Sequence, residues 1–515
     1  MSSFNQNNDK SIIRNGDNFD VLVKFPFLSL LLIGIGAFLI RIVYFQDDLI
    51  FFSDNLSYFK YAIDVSITNE LPTNIILPNN GWPLILSVFF KFFDSNNFLE
   101  FMNLQSYLTI IFSTITIIPL YFLAKKFVST PFALITTILF VFEPRIIQNS
   151  LIGVTDPLFI LLNVTSLALI FQKNKYIICG SFVAVSLASI VRAEGLFLIP
   201  ALLIIFLIRF KISKKTILQG SIFLLISFLI LIPFGIQRME NSGNDFLIGR
   251  ILVSSSSFSE ETQNDPNQMV SKIGESIFLF LGFLGRLMIP YLIIFVPIGC
   301  IILIKRKNIQ KYLLIIPGFF LILPSLYAYT VPALDVRYLF PILPILCIIG
   351  TYTCIKIFER NRFKKISIAF IIFSIMIGSI IFLDFKSEVN NNQIEFLELA
   401  NIINKNTGTV LYVNSPIFSY LDLANILELD KFPVTSIHYD NNSTRYVVFN
   451  DFEVEEFFLN MKKNGITHIV FDEEIENPVI LKKIFYNDAK FNNVSQIFDS
   501  EEFGYDYQIR IFKID

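Results

Sequence analysis

Apolar runs of about 20 residues, the length a helix needs to cross a bilayer, recur through most of this chain. About eleven can be read, near 22–45, 103–123, 131–148, 151–171, 175–191, 194–210, 216–236, 287–304, 312–330, 337–357 and 366–385. Inside hydrocarbon each backbone polar group must be satisfied within its own segment, so continuous apolar runs of this length read as helices. The composition agrees. Of the 515 residues 54% are hydrophobic and 16% charged, against roughly 25% charged in soluble domains. The expected fold is mostly α, a polytopic integral membrane protein.

Charge along the chain suggests an orientation. Lys10, Arg14 and Lys24 precede the first run, and basic loops follow on every second connection: AKK (124–126), QKNKY (172–176), RFKISKK (209–215), KRKNIQK (305–311) and KIFERNRFKK (356–365). By the positive-inside rule these are cytoplasmic, as is the N-terminal tail, residues 1–21. The alternate connections hold the acids, including Asp47, Asp48, Asp54, Glu143, Asp156, Glu194 and Asp335. An odd number of spans then puts the C-terminus on the extracytoplasmic side of the cell membrane.

The transmembrane region is expected over 22–385, with two long outer loops, 46–102 and 237–286. Within the first, PLILSVFFKFF (83–93) is apolar but too short to span, which suits a helix at the interface. Residues 386–515 differ in kind. Short β-patterned runs, TVLYV (409–413), RYVVF (445–449), HIVFD (468–472) and YQIRIFKI (507–514), alternate with helical patterns at 392–405 and 453–464. A small extracytoplasmic α/β domain is expected. The four cysteines, Cys179, Cys300, Cys347 and Cys354, lie in apolar runs and read as buried hydrophobes. His438 and His468 are too far apart for a histidine metal cluster. A leading run longer than an h-region, without a small-residue cleavage site, gives no expectation of a cleaved signal peptide.

Chemistry-bearing residues gather on the expected outer connections. Asp54 and Tyr58 share one face of a helix starting in SDNLSYF, where Asp54 could equally serve as the helix cap. Arg41 lies a turn inside the first run; an intramembrane charge marks either function or snorkelling to the interface. FEPRIIQNSLIGVTDPLF (142–159) brings Glu143, Arg145 and Asp156 to a short turn, and Asp156 before Pro157 also suits an N-cap. VRAEGL (191–196) supplies Arg192 and Glu194, and LDVRYLFPILP (334–344) supplies Arg337, while Arg286 closes the second long loop. Arginine offers bidentate hydrogen bonds to phosphate, and each of these also suits interface anchoring. Carboxylates from two loops would allow general acid/base work or ligation of a divalent cation.

The order of these motifs resembles the GT-C superfamily of membrane glycosyltransferases, in the branch of protein O-mannosyltransferases and aminoarabinose transferases. The resemblance runs from residue 22 to about 357. It rests on Arg41 at the end of the first span, Asp54 to Tyr58 at the place of a D-E-x-x-Y motif, and PNNGWPLILSVFFKFF (78–93). SLIGVTDPLF, RAEGL and RYLFPILP (337–344) follow in order. Asn55 departs from the acidic pair, and no W-W-D-Y-G run is present, which argues against an oligosaccharyltransferase.

The resemblance implies an inverting transferase that moves a sugar from a polyprenyl-phosphate donor to a hydroxyl of a protein or glycolipid acceptor, among membrane lipids and without nucleic acid. It implies Asp54 as catalytic base, Tyr58, Glu143 and Asp156 as support for the acceptor site, and Arg337, Arg192, Arg286 and Arg41 as donor-phosphate ligands. It leaves metal dependence open, with Asp54 and Asp156 as the residues that could hold Mg or Mn. The alternative class is a transporter or lipid flippase, which places its polar groups near the midplane on broken helices. Here the charges lie toward one surface.

Overall fold

The computed structural model describes residues 25–47, 51, 54–72, 80–95, 97–242, 266–306, 310–330, 335–360, 364–387, 392–406, 410–412, 443–445, 462–463, 465–472 and 494–514. The basic N-terminal tail, the centre of the loop at 237–286, most of RYVVF and most of 453–464 lie outside these residues.

The helices run α1 (Pro26–Tyr44), α2 (Asp54–Thr68), α3 (Gly81–Phe92), α4 (Phe98–Ile115), α5 (Ile117–Ala124), α6 (Thr130–Val141), α7 (Pro144–Leu151), α8 (Asp156–Ile170) and α9 (Lys175–Val191). They continue as α10 (Leu198–Phe210), α11 (Lys214–Ser242), α12 (Pro266–Met288), α13 (Leu292–Lys305), α14 (Gln310–Ala328), α15 (Leu343–Arg360), α16 (Lys364–Ser387) and α17 (Asn392–Asn406). Short 3₁₀ turns, Ala193–Phe197 and Val336–Ile342, lead into α10 and α15.

Every apolar run in the sequence forms a helix. Among the described residues six are long and apolar enough to cross a membrane, or eight if two bent pairs each count as one span. The run at 131–148 is one of these pairs. Rather than continuing straight, it bends by 54° between α6 and α7. Pro144 cannot continue α6, since it has no N–H to donate, and it starts α7 instead. Glu143 caps that helix, its carboxylate accepting from the Ile146 amide at 3.0 Å. Helices α3, α8, α9 and the apolar part of α16 are apolar but only 10–17 residues long.

Two compact units are present. The first comprises residues 1–46, 73–82 and 105–384, and the second 47–72, 83–104 and 385–515. The first is a helical bundle whose interior is filled by Leu, Ile and Phe from α6, α8, α9, α10, α13 and α15. In lipid there is no hydrophobic drive between helices, so close approach depends on small residues. Gly299 on α13 shows this: a Cβ there would collide with the Ile349 carbonyl oxygen on α15.

In the second unit, aromatic rings hold α2. Phe51 meets Phe59 at 6.2 Å, Phe59 meets Phe90 of α3 at 5.7 Å, and Phe90 meets Phe101 of α4 at 5.3 Å. α3 has only 12 residues, about 18 Å of helix, too short to span. Its C-terminal region forms a mixed sheet of β1 (Val410–Tyr412), β2 (Ser443–Arg445), β3 (His468–Asp472), β4 (Val494–Asp499) and β5 (Ile509–Ile514), in the order β2-β1-β3-β5-β4. β1 pairs in parallel with β2 and β3, while β5 runs antiparallel to β3 and β4. The sequence pattern matched β1, β3, β5 and α17, but missed β4, whose run VSQIFD is more polar. Gly465, at φ +75°, makes the left-handed turn that feeds β3. α17 packs by Leu399, Ala400 and Ile403, all fully buried, and its Glu395 accepts from the Tyr507 amide at 2.7 Å.

Because Ile349 is backbone-close at Gly299, we expect Gly299→Ala to force α13 and α15 apart at about 1–3 kcal/mol. A melting curve of the detergent-solubilised variant checks this, and an unchanged midpoint would contradict the packing.

Candidate functional site

The site in the first unit is built where three chain breaks meet: the α7–α8 turn, the 3₁₀ turn after α9 and the 3₁₀ turn before α15. Each break has a local cause. Gly153, at φ +69°, turns the chain between α7 and α8. Its carbonyl accepts from Trp82 Nε1 at 3.0 Å and from Gln105 Nε2 at 2.7 Å. Gly81 rests on the α9 backbone, where a Cβ would come within 2.7 Å of Ile190 and Val191. The GWP motif thus pins the turn that carries Asp156. Gly195 of RAEGL is required for a similar reason, since a Cβ would lie 2.8 Å from the Ser189 amide nitrogen.

Asp156 begins α8, but Thr155 holds the cap position. The cap reading of Asp156 is therefore corrected. Its carboxylate, 1% exposed, is shared between two partners. Arg192 meets Oδ1 at 2.6 Å, and Asn149 of α7 donates to Oδ2 at 3.3 Å. Arg192 also donates to Glu194 Oε1 at 2.8 Å. Its guanidinium lies 5.7 Å from the Phe159 ring centroid and 5.8 Å from that of Tyr338. A cation buried in this way is stabilised by paired carboxylates and by the ring faces.

From Tyr338 the contacts continue. Its ring meets Tyr329 edge-on at 6.3 Å, and Tyr329 stacks on Phe283 at 5.0 Å. Arg286 lies over Phe283 at 5.2 Å. The Tyr329 hydroxyl donates to the Asp335 carbonyl at 2.9 Å. Arg337 is half-buried and pairs with Asp335, Nε to Oδ2 at 2.5 Å, with its amide capped by Oδ1 at 2.9 Å. Arg145 donates to the Ile289 carbonyl, three residues beyond Arg286, and pairs with Glu143 at 3.7 Å.

The structure therefore links Asp156, Arg192, Arg286 and Arg337 through one chain of rings and ion pairs. Glu143 is placed apart in function, as the cap of α7. Arg41 is wholly buried. Its Nε donates to Ser150 at 3.0 Å, one terminal nitrogen to the carbonyls of Ala37 at 2.9 Å and Val141 at 3.2 Å, and the other to Ser113 at 2.9 Å. It ties α1 to α4, α6 and α7 and is enclosed by them, rather than presenting its guanidinium to a lipid phosphate.

Asp54 and Tyr58 belong to the second unit. Asp54 is the exposed first residue of α2, while Asn55 and Tyr58 are buried. The Asn55 side chain accepts from the Leu56 amide at 3.0 Å. Among the described residues no three His, Cys, Asp or Glu side chains gather as a metal site. Asp156 does not suit a divalent cation, because Arg192 already brings a positive charge to the same carboxylate.

Sequence reasoning missed Asn149, Trp82, Gln105, Phe159, Tyr329 and Tyr338. Trp82 carried a signal: it is the one tryptophan of the chain, and buried indole needs a partner for its N–H.

No known protein-family model matches the chain, and no curated protein matches it in sequence. Its fold is found among solved structures. The oligosaccharyltransferase of Archaeoglobus fulgidus, tethered to an acceptor peptide containing the NVT sequon, superposes with a TM-score of 0.58 at 11% identity, covering 87% of this chain and 69% of that one. The same organism's AglB with an inhibitory peptide and a dolichol-phosphate gives 0.56 at 12% identity, over 87% and 70%. ArnT from Cupriavidus metallidurans bound to undecaprenyl phosphate gives 0.56 at 10% identity, over 96% and 98%. These neighbours are GT-C membrane glycosyltransferases, and at such low identity the likeness is one of fold.

Arg41→Lys keeps the charge but loses the planar fork that reaches several helices at once. We expect a lower melting midpoint in detergent, and polyprenyl-phosphate affinity per folded molecule unchanged. A loss of affinity at an unchanged midpoint would restore Arg41 as a phosphate ligand.

Proposed function

We propose that this protein is an inverting glycosyltransferase taking a sugar from a polyprenyl-phosphate donor at the extracytoplasmic face of the membrane. The fold likeness to ArnT over nearly the whole of both chains is the observation that carries it. The ordered motifs from Arg41 to the RYLFPILP segment support it further. Sugar nucleotides are cytoplasmic, so a transferase facing outward takes a donor anchored in the bilayer.

In this reading the lipid tail lies among the spans and its phosphate meets Arg337 and Arg286. Asp54 takes the proton of the acceptor hydroxyl as the oxygen attacks the anomeric carbon. The bond to the phosphate oxygen breaks on the opposite side, and the electron pair leaves with the lipid phosphate. One displacement inverts the anomeric centre, through an oxocarbenium-like transition state by analogy with glycoside hydrolysis. The arginines stabilise the charge that develops on the leaving phosphate. The exposed position of Asp54 at the start of α2 suits a base that must receive an acceptor from water. The neighbourhood of Asp156, held by Arg192 and Asn149, supplies a rigid wall rather than a mobile acid.

A general base contributes about 10²–10⁴-fold. Asp54→Asn, reconstituted with a polyprenyl-phosphate sugar that the wild type turns over, is expected to lose activity by that factor. Its donor affinity should stay within about threefold, because the base interacts with the acceptor proton in the transition state rather than with the bound lipid. Wild-type turnover by the variant would sink the assignment.

A further inference from the structure

The end of α8 remote from Asp156, about 22 Å along the helix, carries a second group of charges. There the C-terminal ends of α5, α8 and α10 come together. Arg209, in the last turn of α10, reaches across to the end of α8. It donates to the Ile170 carbonyl, and both terminal nitrogens donate to the Gln172 carbonyl, at 3.2 and 3.3 Å. Its guanidinium lies 5.6 Å from the Phe171 ring centroid, and Phe127, just past α5, meets the same ring edge-on at 5.4 Å. A half-buried, hydrogen-bonded arginine thus fixes the frame, and Lys125, Lys126 and Lys173 stand on the turns that it joins.

Three separate stretches of sequence bring these four cations together. Among the described residues no carboxylate lies within ion-pair reach of any of them. Partial burial, then the charges of Arg209, Lys125 and Lys173, hold the Lys126 ammonium below its ordinary pKa. The positive-inside bias accounts for basic residues on each connection, but it does not require the connections to converge. The carbonyl ends of the helices offset part of the repulsion, and Arg209 itself takes up two of those carbonyls. A bound anion would offset the rest. The neighbouring surface says which anion. Ile118 and Phe122 are exposed on one face of α5, and Lys126 follows one turn after Phe122. Cations above an apolar helix face match the order of headgroup and acyl chain in a phospholipid, and a soluble anion has no use for the apolar face.

We propose that this end of the bundle binds the headgroup of an anionic phospholipid, with Lys126 and Lys173 meeting its phosphate and an acyl chain lying on Ile118 and Phe122. Arg209 acts as a positioning residue, holding the turn after α8 so that Lys173 stays beside Lys126. The site is separate from the Asp156 junction and does not depend on the transferase reading. The bound lipid supplies the negative charge that the protein does not place there, and it ties together the ends of three helices, among them the one that begins at Asp156.

The test uses the full-length protein, delipidated in detergent, with bound lipid read by native mass spectrometry. Phosphatidylglycerol should bind at least about tenfold more tightly than phosphatidylcholine with the same chains. Lys126→Gln and Lys173→Gln should each lower the phosphatidylglycerol affinity by about fivefold, the worth of one lysine at an anionic lipid surface, and leave phosphatidylcholine binding unchanged. Lys126→Arg, which keeps the charge, should bind as the wild type does. Lys311→Gln removes a lysine from a different connection, at the start of α14, and should leave both affinities unchanged. Equal binding of the two lipids by the wild type would overturn the proposal. So would a loss in Lys126→Arg as large as in Lys126→Gln, which would deny the charge its role. An equal loss in Lys311→Gln would overturn it by making the attraction diffuse, and displacement of the lipid by equimolar inorganic phosphate would overturn it by making the ligand a soluble anion.

Discussion

The ion pair between Asp156 and Arg192 is the interaction on which the first unit's site depends. It is nearly dry, with the Asp156 side chain 1% and the Arg192 side chain 11% exposed. Removing one partner of such a pair leaves an uncompensated charge, at a cost of about 3–5 kcal/mol. Three separate breaks in the helical bundle are tied together through it. Asn149 brings in α7, Glu194 brings in the turn after α9, and Tyr338 brings in the turn before α15. The glycines Gly81, Gly153 and Gly195 exist where they do because the chain must approach itself closely enough to form that junction.

A second buried cation, Arg41, works differently. It donates to hydroxyls and carbonyls of four helices, its own included. A guanidinium can satisfy several helix ends at once because its donors fan out in one plane. In a bundle surrounded by lipid, where apolar contact alone does not favour helix on helix over helix on lipid, such links and close glycine contacts carry much of the specificity. Arg41 and Arg192 are therefore both held inside the fold, whereas Arg286 is exposed at the end of α12 and Arg337 is half-buried.

Much of this was legible in the sequence. The apolar runs located most helices of the bundle, because a bilayer leaves a backbone few other choices. The short spacing of R-x-E brought Arg192 and Glu194 together without any tertiary information. Asp156 was picked out as an acid at a turn, but its partners lie 36 and 7 residues away, and only packing could reveal which of several nearby bases and amides it meets. An arginine counted alone looks like a phosphate ligand, and its meaning changes once two carboxylates are found on it. The bend at Glu143 was signalled by Pro144, yet the continuous hydrophobicity on both sides concealed a break of 54°. In the C-terminal region alternation marked β3 and β5, whereas the edge strand β4 carries polar residues that blur its period.

The two sets of groups differ in character. Asp54 is exposed at the start of a short helix fixed by aromatic contacts, whereas the Asp156 junction is buried and locked. The account's central claim is that sugar leaves a polyprenyl phosphate through this protein. Mass spectrometry of lipid-linked sugars and of glycans, in cells with and without the protein, tests it most directly. The account predicts that one polyprenyl-phosphate sugar accumulates and one glycoconjugate loses a sugar residue when the protein is removed. Unchanged pools of both would contradict it.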